Sequence, residues 1–162
     1  MLEAQGRFDR DNRRQTISNS QSGQILDQRT GTFERFQPRL GASLRLTDQI
    51  IVYSNYGEAF RPGGFNPTPG PIAIWNSAFR PEITTSFEIG AKLRNLPWSG
   101  RVEIAAFANE VSDFQNYTFI DGQSVTLNVD EVTIDGFEVS SSVELGQGGS
   151  IRAYLCAHTC TN

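Results

Sequence analysis

Apolar and polar residues alternate with a period of two along several stretches of the chain. From residue 40 to residue 46 every second position is Leu or Ala, with Gly, Ser and Arg between them. A turn at Thr47-Asp48 separates this run from a second alternating run over residues 50–56. Alternation of this kind is typical of β-strands that have one apolar face, and a short connection between two such runs predicts a β-hairpin.

Two further strand pairs follow along the sequence. Residues 87–93 and 102–108 alternate on either side of a turn at 95–100 that contains Pro and Gly. Residues 134–145 and the run from 151 onward are separated by a Gly-rich turn at 146–149. Helical periodicity persists nowhere for more than a turn or two. The pattern therefore predicts an all-β chain.

The connections between the predicted strands differ in length in a regular way. The short turns alternate with longer polar segments at residues 12–31, 58–81 and 112–130, which we expect to be loops. Short turns at one end and long loops at the other are typical of outer-membrane β-barrels.

Charged side chains occupy the second face of the predicted strands, where a barrel would enclose a wet lumen. They are Arg39, Arg45, Glu88, Lys92, Glu103, Glu138 and Glu144. We predict an antiparallel transmembrane β-barrel segment of about seven strands, part of a larger barrel and open as it stands. A complete small eight-stranded outer-membrane barrel and a soluble carbohydrate-binding β-sandwich are the alternatives.

Composition narrows the classes of protein. The longest uncharged apolar stretch, residues 50–53, is far shorter than the roughly 20 residues of a membrane-spanning helix. The net charge is −4 and the 14 basic residues are mostly dispersed, so nucleic acid is not an expected partner. Residues 1–5 lack the basic start and apolar core of a signal peptide, and we expect the chain to belong to a longer precursor.

The order of several short motifs resembles the barrel domain of TonB-dependent outer-membrane receptors. The resemblance runs over roughly residues 31–145, and each motif is weak alone. The motifs are PRLGASLRLTD at 38–48, VYSNYGEAFRPGGFN at 52–66, RPE at 80–82, SFEIGAK at 86–92, AF at 106–107, DFQ at 113–115 and IDGFE at 134–138.

This resemblance implies a function and a set of partners. Such receptors lie in the outer membrane of Gram-negative cells and import a scarce ligand, such as a ferric siderophore, using energy relayed by an inner-membrane complex. Their full barrel has about 22 strands and is filled by a separate plug domain. The resemblance assigns residues 1–155 to a partial receptor barrel, in contact with the lipid bilayer. It implies neither an enzyme nor a cofactor.

Cys156, His158 and Cys160 are the only clustered metal-ligand types near the C-terminus. Three donors within five residues, with no further Cys or His in the sequence, do not make a tetrahedral metal site, so no metal and no catalytic residue is predicted. The two cysteines could form a disulfide or remain free. We expect residues 156–162 to be an irregular tail, produced by truncation or a frame-shift.

The best candidate for ligand binding is the segment 58–81. It combines aromatic, Arg and Asn side chains with Pro and Gly, a composition suited to stacking on a ligand and hydrogen bonding to it. The candidate residues are Phe60, Arg61, Phe65, Asn66 and Trp75. The same side chains could instead shape the loop against the barrel rim.

Overall fold

A single curved β-sheet makes up most of the molecule. The computed structural model describes residues 1–66, 78–96, 99–120, 122–145 and 148–161. Seven antiparallel strands lie in the order β1-β2-β3-β6-β7-β8-β9, and a small two-stranded sheet joins β4 to β5. The strands are β1 Leu2–Ser18, β2 Ile25–Arg45, β3 Ile50–Arg61, β4 Gly64–Phe65, β5 Ala78–Phe79, β6 Glu82–Leu93, β7 Gly100–Ile120, β8 Gln123–Leu145 and β9 Gly149–Thr161.

The three hairpins predicted from the alternation are confirmed. The connection between β2 and β3 covers residues 46–49, and Thr47 Oγ1 there accepts hydrogen bonds from the backbone N–H groups of Gln49 and Ile50 at 3.2 and 3.1 Å. β6 and β7 form the second hairpin, and β8 and β9 form the third. Seven strands in one open antiparallel sheet agree with the predicted fold class.

Two of the three predicted long loops are wrong. β1 and β2 stay paired from Leu2↔Ala42 to Ser18↔Ile25, so most of segment 12–31 is an extended hairpin. β7 and β8 pair as far as Ile120↔Gln123, so the same holds for segment 112–130. In segment 12–31 both faces of the strands are polar, which removes the alternation from the sequence. In segment 112–130 Val125, Leu127 and Val129 do alternate with Ser124, Thr126 and Asn128, and the loop prediction gave too much weight to the polar residues. Backbone pairing does not need an apolar face.

The two faces of the sheet differ in chemistry. One face carries large apolar side chains that are about half exposed. They include Phe36, Leu40, Leu44, Phe87, Ile89, Ile104, Phe137 and Leu155. We call this the outer face. The opposite face, here called the inner face, carries the charged side chains at the intervening positions, as the period of two requires.

The inner face is concave. One open cavity on this face is lined by Glu3 of β1, Lys92 of β6, Glu103 of β7 and Cys156 of β9, so residues from both outermost strands border the same space. The strand order is nevertheless linear, and no pairing of β1 with β9 occurs among the described residues. The described strands therefore form neither a closed eight-stranded barrel nor the two packed sheets of a sandwich.

Backbone pairing between β2 and β3 stops earlier than the strands do. The last pair is Arg39↔Gly57, and the next residue of β2 is Pro38, which has no N–H to donate. Beyond it side chains connect the strands: Gln37 Oε1 accepts a hydrogen bond from Phe60 N at 3.1 Å, and Arg35 pairs with Glu58 at 2.5 Å. Backbone pairing of β3 with β6 ends at Arg61↔Glu82, whereas the two hairpins beside them stay paired for several residues beyond that level.

The predicted irregular tail is not observed. β9 continues to Thr161, and residues 156–161 pair with β8, as in Cys156↔Glu138 and Cys160↔Ile134. The reason is that the neighbouring strand offers a full set of backbone partners whatever the side chains are. Among the described residues, no helix has the length and apolar character needed to cross a membrane.

Candidate ligand-binding site

The described part of the segment between β3 and β6, residues 62–66 and 78–81, packs against both extended hairpins. On one side it meets the β1–β2 hairpin, where Gln15 Nε2 donates a hydrogen bond to the backbone oxygen of Asn66 at 3.1 Å. A Cβ added to Gly63 would lie 2.7 Å from the ring of Phe33 and 2.5 Å from the carbonyl oxygen of Phe79. Only glycine fits at such a distance from a neighbouring backbone. These residues thus pack closely against β1 and β2.

Asn66 attaches the same segment to the opposite hairpin. It is 2% exposed. Its Nδ2 donates to the carbonyl oxygen of Thr126 at 3.1 Å, and its Oδ1 accepts from the N–H of Thr126 at 2.8 Å. This side chain therefore replaces a neighbouring strand for one residue of β8, and both of its polar ends are occupied within the protein.

Gln115 of β7 holds both ends of the segment. It is 6% exposed, and its Nε2 donates to Pro62 O and Arg80 O, both at 3.0 Å, with a longer contact of 3.5 Å to Arg61 O. Pro62 follows β3 and Arg80 precedes β6, so one amide group joins the two positions where the segment leaves and re-enters the sheet. The backbone N–H of Gln115 donates to Glu82 Oε2 at 2.7 Å.

Arg80 is held by a second amide and by two carboxylates. Its N–H donates to Asn128 Oδ1 at 2.7 Å, and Asn128 Nδ2 donates back to Arg80 O at 3.0 Å. Its guanidinium lies 2.6 Å from Asp113 Oδ1 and 3.8 Å from Asp130 Oδ1. Asp113 adopts a positive φ of 55°, a conformation that Asp tolerates better than most residues.

The candidate residues predicted from the sequence are placed in different ways. Phe60 is half-buried on β3, and Arg61 is exposed with its Nη1 3.7 Å from Glu82 Oε2. Phe65 lies in β4 with its ring near Gly31, and Asn66 follows it. Trp75 lies outside the described residues. Four of the five thus lie at the base of the same segment, and their contact with a ligand stays a prediction.

An aromatic pair that sequence reasoning missed lies near the tip of the β7–β8 hairpin. The rings of Tyr117 and Phe119 are 5.7 Å apart and edge to face, and they are 63% and 69% exposed. Both share the face of Gln115, since strand residues two apart point the same way and the β7–β8 register does not shift. Their i, i+2 spacing was the available signal, but a segment predicted to be a loop has no defined faces.

A charged cluster lies deeper on the inner face. Lys92 Nζ is 2.7 Å from Glu103 Oε1 and 4.8 Å from the centre of the Tyr53 ring, and Tyr53 Oη donates to Glu103 Oε1 at 3.1 Å. The ring of Tyr53 covers Gly90, where an added Cβ would lie 2.6 Å from it. These contacts compensate the charges within the sheet.

Cys156 and Cys160 are both free and exposed. They are four residues apart along one strand, roughly 13 Å at the rise of an extended chain, which is too far for a disulfide. Cys156 Sγ contacts His158 Nδ1 at 3.9 Å and Glu138 Oε1 at 3.7 Å. No group of three metal-binding side chains occurs within the part of the chain that the structure describes.

Residues 1–155 match the family model described as TonB dependent receptor-like, beta-barrel. The chain therefore belongs to the TonB-dependent receptor family, whose members are receptors and transporters with β-barrels in the outer membrane. The resemblance noted in the sequence is confirmed. A sequence relative is the hemophilin receptor of Acinetobacter baumannii, 28% identical over 116 residues, which make up 67% of this chain and 11% of that protein.

Three solved structures share the fold over 99% of this chain. The ferric yersiniabactin uptake receptor FyuA from Yersinia pestis has a TM-score of 0.75 at 21% identity, with 24% of its chain covered. The copper transporter OprC has a TM-score of 0.68 at 24% identity, with 26% covered. The Serratia marcescens hemophore receptor HasR, solved with its hemophore HasA and heme, has a TM-score of 0.59 at 15% identity, with 31% covered. This chain thus spans a tenth to a third of the proteins it matches.

Proposed function

We propose that this chain forms part of the wall of an outer-membrane receptor that imports a ferric siderophore or a similar scarce nutrient. The observation that carries the proposal is the family match over residues 1–155 on a sheet with one apolar face and one charged face. Such a sheet suits a position between lipid and a wet lumen. A plug domain and an energising inner-membrane complex are the partners expected of the whole receptor.

The ligand class is drawn from proteins that resemble this chain. Their names refer to ferric yersiniabactin, copper, hemophilin, and heme with its hemophore. Three of the four names concern an iron siderophore or heme-related ligands, and this supports an iron source over other nutrients. In this proposal the end of the sheet with the extended hairpins faces the outside of the cell, because outer-membrane barrels place their longer connections there.

Within this function, Tyr117 and Phe119 are the side chains best placed to touch a ligand. They are large and exposed and share the face of Gln115, and aromatic side chains often dominate binding energy where they become covered. Phe60 and Arg61 at the end of β3, with Phe65 and Trp75 from the following segment, remain candidates. Asn66 is the weakest candidate, because Thr126 already occupies both polar ends of its side chain.

The test uses the full receptor and two separate probes, ferric yersiniabactin and haem. Replacing Tyr117 or Phe119 by Ala should weaken binding of the accepted probe by roughly fivefold or more. Phe114→Ala is the matched control, since Phe114 lies on the same strand but on the other face. Binding of neither probe, together with no loss of iron-limited growth on deleting the receptor, would contradict the proposal.

A further inference from the structure

Buried polar side chains form hydrogen bonds at the base of the segment between β3 and β6. Asn66 and Gln115 are the two buried polar side chains identified among the described residues, and both bond this segment. Together with Asn128 they contribute three amide groups that bind backbone atoms. We call these three residues the amide clamp.

The clamp joins elements that are far apart in the sheet. Gln115 connects the end of β3 with the start of β6, and Asn66 connects the segment with β8 while its backbone oxygen contacts Gln15 of β1. The segment is therefore held from both extended hairpins at once. A loop held on one side only could swing as a unit, whereas this one could not without losing bonds on the other.

The energetic argument rests on burial. Opening the clamp would remove the hydrogen-bond partners that it gives to the carbonyl groups of Pro62 and Arg80 and to the backbone N–H of Thr126. Buried polar groups that lose a partner cost more than the bond contributed when formed. The same carbonyl groups cannot find new partners in the sheet, because they lie beyond the last backbone pairs of β3 and β6, Arg61↔Glu82.

We infer that Gln115 and Asn66 are positioning residues that hold the base of this segment as a preformed wall of the binding site before any ligand arrives. This inference rests on the proposed function for its ligand and deepens it. The part of the site near residues 62–66 and 78–81 does not close over the ligand. The ligand instead meets a fixed surface, and these residues lose little conformational entropy when it binds.

The experiment measures amide hydrogen exchange in the ligand-free full receptor in detergent. In the wild type, the amides of residues 63–66 and 78–80 should exchange slowly. Gln115→Met keeps the side chain's length but removes its N–H donors, so exchange there should rise at least about tenfold while β1 and β9 exchange as before. Asn66→Asp replaces the donor to Thr126 O by a carboxylate oxygen that repels this carbonyl group, and exchange of the same residues should rise here too.

Gln28→Met is the matched control, because Gln28 is an exposed glutamine on β2. It should leave exchange in residues 63–66 unchanged. Fast exchange of these residues in the wild type, or unchanged exchange in Gln115→Met, would overturn the inference. Asn66→Asp decides the matter if Gln115→Met fails to fold.

Ligand binding gives the second readout, with ferric yersiniabactin and haem as separate probes. If the clamp positions the site, the affinity of Gln115→Met for the accepted probe should fall in proportion to the closed fraction that it loses, and saturating probe should restore slow exchange. Equal affinity despite fast exchange would overturn the positioning role. If the wild type binds neither probe, the proposed function fails, whereas the exchange data still decide whether the clamp exists.

Discussion

Arg80 lies between two carboxylates at the one interrupted position of the β7–β8 ladder. Pairing is present at Ser112↔Glu131 and at Phe114↔Val129, with Asp113 and Asp130 between them. Like charges at facing positions of neighbouring strands destabilise their pairing, and a cation between them reduces this repulsion. The guanidinium of Arg80 therefore serves the hairpin as well as the adjacent segment.

Replacing Arg80 by Met should loosen this part of the hairpin. Hydrogen exchange of residues 114–129 should rise roughly two- to fivefold, since ion pairs this exposed stabilise only modestly. The effect should shrink in about 1 M salt, where the repulsion of the two aspartates is screened. Arg10→Met, which removes an exposed pair with the single carboxylate of Glu34, is the control and should change exchange less. A salt-independent effect would argue against this electrostatic explanation.

At the scale of the element, β3, β6 and β7 pack through a glycine. An added Cβ at Gly90 would meet the ring of Tyr53 at 2.6 Å and the backbone oxygen of Ile104 at 2.7 Å. The tyrosine could move aside, but a backbone carbonyl in a paired strand could not without disturbing the ladder. Gly90 thus allows β6 to lie close under an aromatic side chain and beside β7.

Gly90→Ala should lower the stability of the full receptor by about 1–3 kcal/mol, as overpacking does. Adding Tyr53→Ala should recover only a small part of this loss, because the contact with Ile104 O remains. Gly57→Ala is the control on β3, where the nearest atom to an added Cβ is 3.8 Å away. Thermal unfolding in detergent measures all three variants. Full recovery in the double variant would place the strain in the tyrosine ring alone.

The elements that sequence reasoning found are those with one apolar face. Residues 40–46 and 87–93 alternate because one side of each strand is apolar, and the same alternation fixes their faces correctly. Arg13 and Arg14 lie in a strand too, but no apolar residue marks the period there, and the hairpin they extend was predicted as a loop. Val125, Leu127 and Val129 do mark a period of two in β8, but the polar residues around them outweighed it in the prediction. The amide clamp could not be predicted from the sequence, because Gln115 and Asn66 lie in polar segments and resemble ordinary loop residues there.

At the scale of the whole molecule, strand length exceeds what a membrane needs. β8 has 23 residues, which is about 75 Å of extended chain, whereas roughly 9–11 residues cross the hydrocarbon. In the proposed receptor, the upper parts of β1, β2, β7 and β8 therefore stand outside the lipid. On β1 and β2 the outer face turns polar above Phe8 and Phe36, beginning with the pair Arg10–Glu34, as a position outside the lipid requires.

The outer edges of β1 and β9 have no strand partner within the described part of the chain. Unpaired backbone groups in lipid cost several kcal/mol each, and only closure of the barrel removes the edges. The isolated 162-residue chain should therefore neither insert stably nor form a channel. Refolding it in detergent beside the full receptor tests this on a gel. A heat-modifiable, protease-resistant band from the short chain would show that the prediction is wrong.

The amide clamp binds main-chain atoms: the carbonyl groups of Pro62, Arg80 and Thr126 and the N–H of Thr126. Main-chain atoms are the same whichever residue carries them. Mutations in the segment can therefore replace one side chain by another without removing a bond that holds its base, provided that Gly63, Asn66 and Arg80 are kept. A receptor built in this way can acquire a new ligand preference through few substitutions, because selection acts on exposed side chains while the frame that presents them stays in place.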